Sequence, residues 1–231
     1  MTEGEAADVT AADAALAVPV WDLPVRLFHW ALVALIAASW WSAEYHHTQW
    51  HLWSGYLVLF LLLFRTLWGF VGSSTARFAS FVRGPRGVFD YLRKKGWTRI
   101  GHTPLGALSV VALLALTAAQ VGFGLILVDE DGEWAGPLNK FVDFDTGELA
   151  HTIHEALFNV LLGFIILHVA AILYYRLRGK HLLRAMVRGT ATLPAGTEPL
   201  VRAKPIRLLL ALLVAGAVTL WIVFGAPPFR P

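Results

Sequence analysis

Long apolar runs alternate with short charged intervals along this chain. Five runs, at about 25–43, 52–71, 105–127, 151–175 and 206–224, are each long enough to cross roughly 30 Å of hydrocarbon at about 1.5 Å per helical residue. The pattern predicts an all-α integral membrane protein. Residues 1–19 read as a flexible, acidic N-terminal tail, because the first seventeen are small or acidic and carry no Lys or Arg. That is the wrong polarity for a signal peptide. The expected organisation is this tail, a transmembrane domain over 20–190, a cytoplasmic linker over 191–205, and an additional transmembrane helix at 206–224.

The charges between runs fix an expected orientation. Arg65, Arg77, Arg83, Arg86, Arg93, Lys94, Lys95 and Arg99 cluster around the second interval, against Asp90 alone. Arg176, Arg178, Lys180, Arg184, Arg188, Arg202, Lys204 and Arg207 cluster around the fourth, against Glu198 alone. The third interval is acidic, with Asp129, Glu130, Asp131, Glu133, Asp143, Asp145 and Glu148 against Lys140. Basic loops stay in the cytoplasm, so the N-terminus is expected inside and the C-terminus outside, in the periplasm of a bacterial inner membrane. Because 16 of the 19 Lys and Arg belong to those two intervals, the formal net charge of +3 reports topology rather than a nucleic-acid partner.

Within the first basic interval, GPRGVFDYLRKKGW at 84–97 reads as a short amphipathic helix lying on the membrane surface. Trp40, Trp41, Tyr45, Trp50 and Trp53 at one interface, and Trp68, Tyr174 and Tyr175 at the other, make aromatic belts. The composition adds one exclusion. With no cysteine, thiolate haem ligation, covalent haem attachment and cysteine-held iron–sulfur clusters are closed to this chain.

Histidine inside a span is costly and by default functional. His154 and His168 share the fourth run, fourteen residues apart. At about 100° per residue they fall within about 40° of one face, and they lie about 21 Å apart along the axis. That is too far for one metal ion and suits two haems at two depths, each iron taking one ligand from this helix. His29, at the inner start of the first run, is expected to pair with His168, and His51, at the outer start of the second, with His154. Neutral imidazole is a good axial ligand for haem b. His47 and His151 lie one turn before His51 and His154 and are alternatives to them on spacing alone. His46, His102 and His181 read as interfacial or solvated.

Haem propionates need cationic donors near the membrane surface, and Arg26, Arg65 and Arg176 are placed to serve an inner haem, or simply to snorkel. Gly55, Gly122, Gly124 and Gly163 would let a flat macrocycle approach the helices, although ordinary helix packing also uses such residues. Glu155 and His102 are candidates for a proton acceptor at a quinone site.

Several stretches resemble the bacterial cytochrome b-561 family, which includes the cytochrome b subunits of membrane-bound nickel–iron hydrogenases. They are VWDLPVRLFHW at 20–30, HLWSGY at 51–56, LLFRTLWGFVGS at 62–73, ARFASFVRGPRGVFDYLR at 76–93, HTPLG at 102–106 and HEALFNVLLGFIILHVAAILYYR at 154–176. The resemblance implies a four-helix bundle holding two b haems on His29, His51, His154 and His168, and so selects His51 over His47 and His154 over His151. It implies electron exchange between membrane quinone and a partner such as a c-type cytochrome, another dehydrogenase, a hydrogenase subunit or superoxide. The fifth apolar run departs from the four-helix pattern and is expected to pad the bundle.

The principal expectation is therefore an electron carrier rather than a residue-based catalyst. A superoxide oxidase that reduces quinone would need a cationic outer funnel, and the outer interval is acidic. A haem-free metal or proton transporter would use the same histidines but would be colourless.

Overall fold

A computed structural model describes residues 15–82, 84–94, 100–131 and 134–227. In chain order its elements are β1 (Ala15–Pro19), α1 (Leu23–Glu44), α2 (Thr48–Val71), α3 (Phe78–Phe81), α4 (Pro85–Lys94), α5 (Pro104–Ile126), α6 (Phe144–Leu177), α7 (Leu182–Arg188), β2 (Thr190–Pro194) and α8 (Pro205–Val223). A single 3₁₀ turn at Asn139–Phe141 precedes α6. The protein is a multi-pass membrane protein, with α1, α2, α5, α6 and α8 long and apolar enough to span a bilayer.

Capping explains where these helices begin. Asp22 accepts the Val25 N–H at 2.9 Å ahead of α1, Thr103 accepts the Gly106 N–H at 3.1 Å ahead of α5, and Asp143 accepts the Thr146 N–H at 2.8 Å ahead of α6. Each side-chain oxygen satisfies a backbone donor that the first turn leaves unpaired. α1, α5 and α8 also carry Pro in the first turn, where its missing N–H costs nothing.

The Asp143 cap has a consequence that hydropathy alone does not predict. The fourth span is 34 residues long, starting seven residues before the apolar run, and its first turns carry Asp145 and Glu148. At about 1.5 Å per residue the helix outruns the hydrocarbon and stands proud of it at the end that bears the acidic loop. That end is called the acidic end below, and its opposite the basic end.

The spans form two antiparallel hairpins. α1 packs along α2, and α5 along α6, while the hairpins meet less closely, through α2 and α5. α8 lies against α2, outside the other four. Its contact face is a stripe of small side chains, Ala211, Ala215 and Thr219, at four-residue spacing; such residues let helix backbones approach closely. Ala215 is 0% exposed and joins Val25, Phe28, Phe64 and Trp68 in the apolar core. Through this stripe the fifth helix shares the apolar core of the bundle.

The basic end carries a small extramembrane cap. β1 pairs antiparallel with β2, Ala15 opposite Pro194 and Pro19 opposite Thr190. A two-stranded ribbon is marginal alone, and this one is fastened at several points. Leu200 N–H donates to Pro19 O at 3.1 Å, Ser74 N–H to Val201 O at 3.0 Å, Val201 N–H to Ser74 Oγ at 3.0 Å, and Thr75 Oγ1 to Val20 O at 2.7 Å. These bonds correct two expectations. The last five residues of the supposed tail are a strand, and the linker over 191–205 begins as its partner. Residues 1–14, the remainder of the tail, lie outside the described residues, as do 95–97 of the amphipathic segment. Its helix is present as α4.

Candidate haem site

His51 and His154 face each other near the acidic end. Their ring centres are 6.0 Å apart with planes at 76°. Each ring is held from behind by a backbone carbonyl: His51 Nδ1 lies 2.9 Å from Ser39 O on α1, and His154 Nδ1 lies 2.9 Å from Gln120 O on α5. A carbonyl oxygen only accepts, so Nδ1 is the donor in each bond and Nε2 is the ring nitrogen left on the far side. Gln120 also reaches back, its Nε2 donating to His154 O at 2.9 Å, which clasps the two helices at this level.

Local packing lets the two rings meet. Ser39 and Ser54 bond across α1 and α2 at 2.7 Å, and their small side chains bring the helices together just behind His51. A Cβ on Gly124 would lie 3.0 Å from His154 Cε1 and 3.3 Å from Nδ1, so glycine is what allows the imidazole its position. On Gly55, one turn from His51 on nearly the same face, a Cβ would meet nothing within 4 Å. Trp134 lies edge-on to His51 at 6.0 Å, at the acidic-end mouth.

Gly163 and Gly122 do not belong to this group. Both are exposed, and Gly163 is nine residues from His154, about half a turn round the helix. His47 and His151 also turn elsewhere. The His47 ring lies 5.1 Å from Trp41, and His151 Nε2 lies 3.7 Å from the exposed carboxylate of Glu155.

At the basic end, His29 on α1 and His168 on α6 interact electrostatically. His168 Nδ1 lies 3.3 Å from Ser109 Oγ on α5. His29 Nδ1 is buried with no hydrogen-bond partner among the described residues, and the ring stands edge-on to Trp30 at 4.9 Å. His102 enters the same neighbourhood, lying between Trp21 and Phe81 with ring centres at 4.5 Å and 4.6 Å. Its own Nδ1 is buried and unpaired. Burial, with Arg65 and His168 adding to it, holds the His102 pKa down at about 3, so the ring is neutral at physiological pH. The expectation that His102 is interfacial or solvated is therefore corrected.

Of the three predicted arginines, Arg65 belongs to this neighbourhood, where it acts on His102. Arg65 is only 3% exposed, stacks over Phe78 at 4.9 Å, interacts with the Asp22 carboxylate and keeps Nη1 unpaired. Arg26 has its Nε buried and unpaired. Arg176 stands apart, exposed at the last turn of α6 in a groove against α7.

Chemically, the acidic-end pair offers two adjacent imidazoles from different helices, each with Nδ1 on a carbonyl. Two rings gripping one metal at about 2 Å per nitrogen would have centres about 6 Å apart, close to the 6.0 Å observed. The basic end offers two more imidazoles and unpaired cationic donors suited to anionic groups. Sequence reading missed Ser39, Gln120, Ser109 and Trp134. The first three are polar residues inside apolar runs, a signal that was available.

Residues 20–189 match the family of prokaryotic cytochrome b561. Comparison with curated proteins and with solved structures gave no match.

Proposed function

The chain belongs to the prokaryotic cytochrome b561 family, a family of membrane b-type cytochromes that bind haem b and transfer electrons, and from that premise we propose a two-haem relay. His51 and His154 would hold one haem, and His29 and His168 the other. Haem held by these imidazoles would supply one-electron transfer.

The observation that carries this reading is the facing pair of His51 and His154, each with Nδ1 on a backbone carbonyl. Such a bond fixes the tautomer, orients the ring and raises the basicity of Nε2. Ser109 plays the weaker equivalent for His168. Arg26 and Arg65, rather than the exposed Arg176, would meet propionates at the basic end, because each has a buried unpaired nitrogen there. Gly55 and Gly124 keep side chains off the acidic-end site.

The basic end would face the cytoplasm of a bacterial inner membrane, by the charge rule, and the acidic end the periplasm. Acidic residues such as Asp129, Asp143 and Asp145 suit a basic redox partner, a c-type cytochrome among the candidates, by complementary steering. A dehydrogenase or hydrogenase subunit could dock at the same surface. Membrane quinone would exchange electrons at the basic end, where the unpaired Nδ1 of His102 can hydrogen-bond a quinone oxygen. A ring with pKa about 3 positions such an oxygen without storing a proton, a role different from the proton acceptor expected from sequence. Exposed Glu155, beside His151, fits less well.

The test is haem counting on the purified chain. A reduced-minus-oxidised visible spectrum with a pyridine haemochrome assay should give two b haems. His154→Ala and His168→Ala should each remove one, leaving complementary spectra. A colourless wild-type chain, or two full haems in His154→Ala, would overturn the assignment.

A further inference from the structure

Where α6 leaves the membrane at the basic end, its last turns and α7 enclose a groove of about 340 Å³. Ile172, Leu173, Leu183 and Val187 form its walls, and Arg176, Lys180, Arg184 and Arg188 stand around them. The wall residues are not covered by protein: Leu173 is 56% exposed and Val187 53%. Among the described residues no carboxylate lines the groove or pairs with any of the four cations. Among the described residues, Lys180 Nζ meets the face of Tyr175, at 5.5 Å.

This combination calls for a particular ligand. Four like charges around one groove repel each other unless an anion joins them, and the described residues supply none there. The apolar walls would be costly in water, yet they lie at the end of a membrane span, at headgroup depth. A soluble anion would satisfy the cations and leave the walls wet. A hydrocarbon chain alone would cover the walls and leave the cations unpaired.

We propose that the groove between α6 and α7 is a binding site for one anionic phospholipid, its phosphate held by Lys180, Arg184 and Arg188 and its acyl chains lying on Leu173, Leu183 and Val187. The spacing on α7 agrees. Leu183 and Val187 share one face four residues apart, Arg184 and Arg188 share the adjacent one, and Ala185 turns inward, buried. α7 would then rest on lipid on one side and on β2 on the other, joining the extramembrane cap to the bilayer. This inference needs only the membrane-spanning helices and does not depend on the haem assignment.

The experiment uses the full chain in mixed detergent–lipid micelles, with bound lipid read by native mass spectrometry. Phosphatidylglycerol and cardiolipin are each competed against phosphatidylcholine. The wild type should retain one anionic lipid per chain in clear preference to phosphatidylcholine. The double variant Arg184→Gln/Arg188→Gln should lose that preference by roughly tenfold or more, since each cation near a headgroup contributes about fivefold. Arg77→Gln/Arg93→Gln removes two exposed cations elsewhere and should keep the preference. Circular dichroism and melting temperature identify misfolded preparations. Equal retention of phosphatidylcholine and anionic lipids by the wild type would overturn the proposal. So would equal loss in both double variants, which would mean diffuse surface charge, or displacement of the lipid by millimolar inorganic phosphate, which would mean a site for the free anion.

Discussion

At the acidic end two histidines face each other at 6.0 Å, each braced by a main-chain carbonyl at 2.9 Å, with a glycine behind one ring and an edge-on tryptophan beside the other. At the basic end His29 and His168 have looser support: a serine hydroxyl at 3.3 Å for one and no partner for Nδ1 of the other. What the basic end has instead is charge. Arg65 and Asp22 lie close by, with neutral His102 between aromatic rings. One site is defined by backbone and the other by ionisable side chains. The first should be rigid and sensitive to sterics, and the second should be tuned by electrostatics.

The sharpest way to break that contrast is through Gly124. An alanine Cβ there would come 3.0 Å from His154 Cε1, so Gly124→Val, with two further methyls, must push the imidazole off its carbonyl. The expected outcome is loss of the acidic-end haem, about half of the b-type absorbance, with the basic-end component retained. Gly124→Ala should keep the haem with an altered spectrum, because its neighbour has to give by only a few tenths of an ångström. Normal spectra in both variants would show that His154 is not confined as described.

Asp22 probes the other side of the comparison. It caps α1 through Val25 N–H, accepts from Trp68 Nε1 at 3.0 Å, and is the carboxylate that Arg65 feels. Asp22→Ala removes a cap, leaves a buried indole donor unpaired and deprives a buried cation of its counter-charge. Together these should cost on the order of 3 kcal/mol, or a melting temperature lower by roughly 5–10 °C. Differential scanning fluorimetry would read that change, and visible spectroscopy should place the accompanying disturbance in the basic-end component. Asp22→Asn preserves an acceptor for the cap and should fall between the variant and the wild type. A disturbance confined to the acidic end would contradict the assignment of Arg65 to its neighbour.

The sequence reveals this architecture to different depths. The spans are legible because crossing hydrocarbon imposes both length and composition, and the fourteen-residue interval between His154 and His168 is legible because helical geometry is fixed. The seven extra residues at the start of α6 are not, since they are held by the Asp143 cap rather than by hydrophobicity. β1 and β2 escape because five-residue strands with no hairpin turn between them leave little local signal. Their pairing is a tertiary outcome, made by bonds from residues 73–75 and 200–203. The exposed position of Arg176 is not legible because a helix-end arginine looks the same in sequence whether it turns toward the bundle or the lipid. Gly163 fails for a simpler reason: lying between two histidines in sequence does not put it on their face.

The smallest effect should come from Ser109, and it bears most directly on how the two ends differ. If His168 binds metal through Nε2, its Nδ1 carries the proton and Ser109 Oγ is the acceptor, at a distance of 3.3 Å that marks a weak bond. Ser109→Ala then removes a little electron donation to the ring, which stabilises the reduced state relative to the oxidised one. A hydrogen bond of about 0.5–1.5 kcal/mol corresponds to roughly 20–60 mV for one electron, and the weakness of this one favours the lower part of that range. A redox titration followed in the visible band should therefore show the basic-end component moving upward while the acidic-end component, whose acceptors are carbonyls that no side-chain substitution removes, stays where it was. A downward shift, or a shift shared equally by both components, would mean that the Ser109 hydroxyl is not what orients His168.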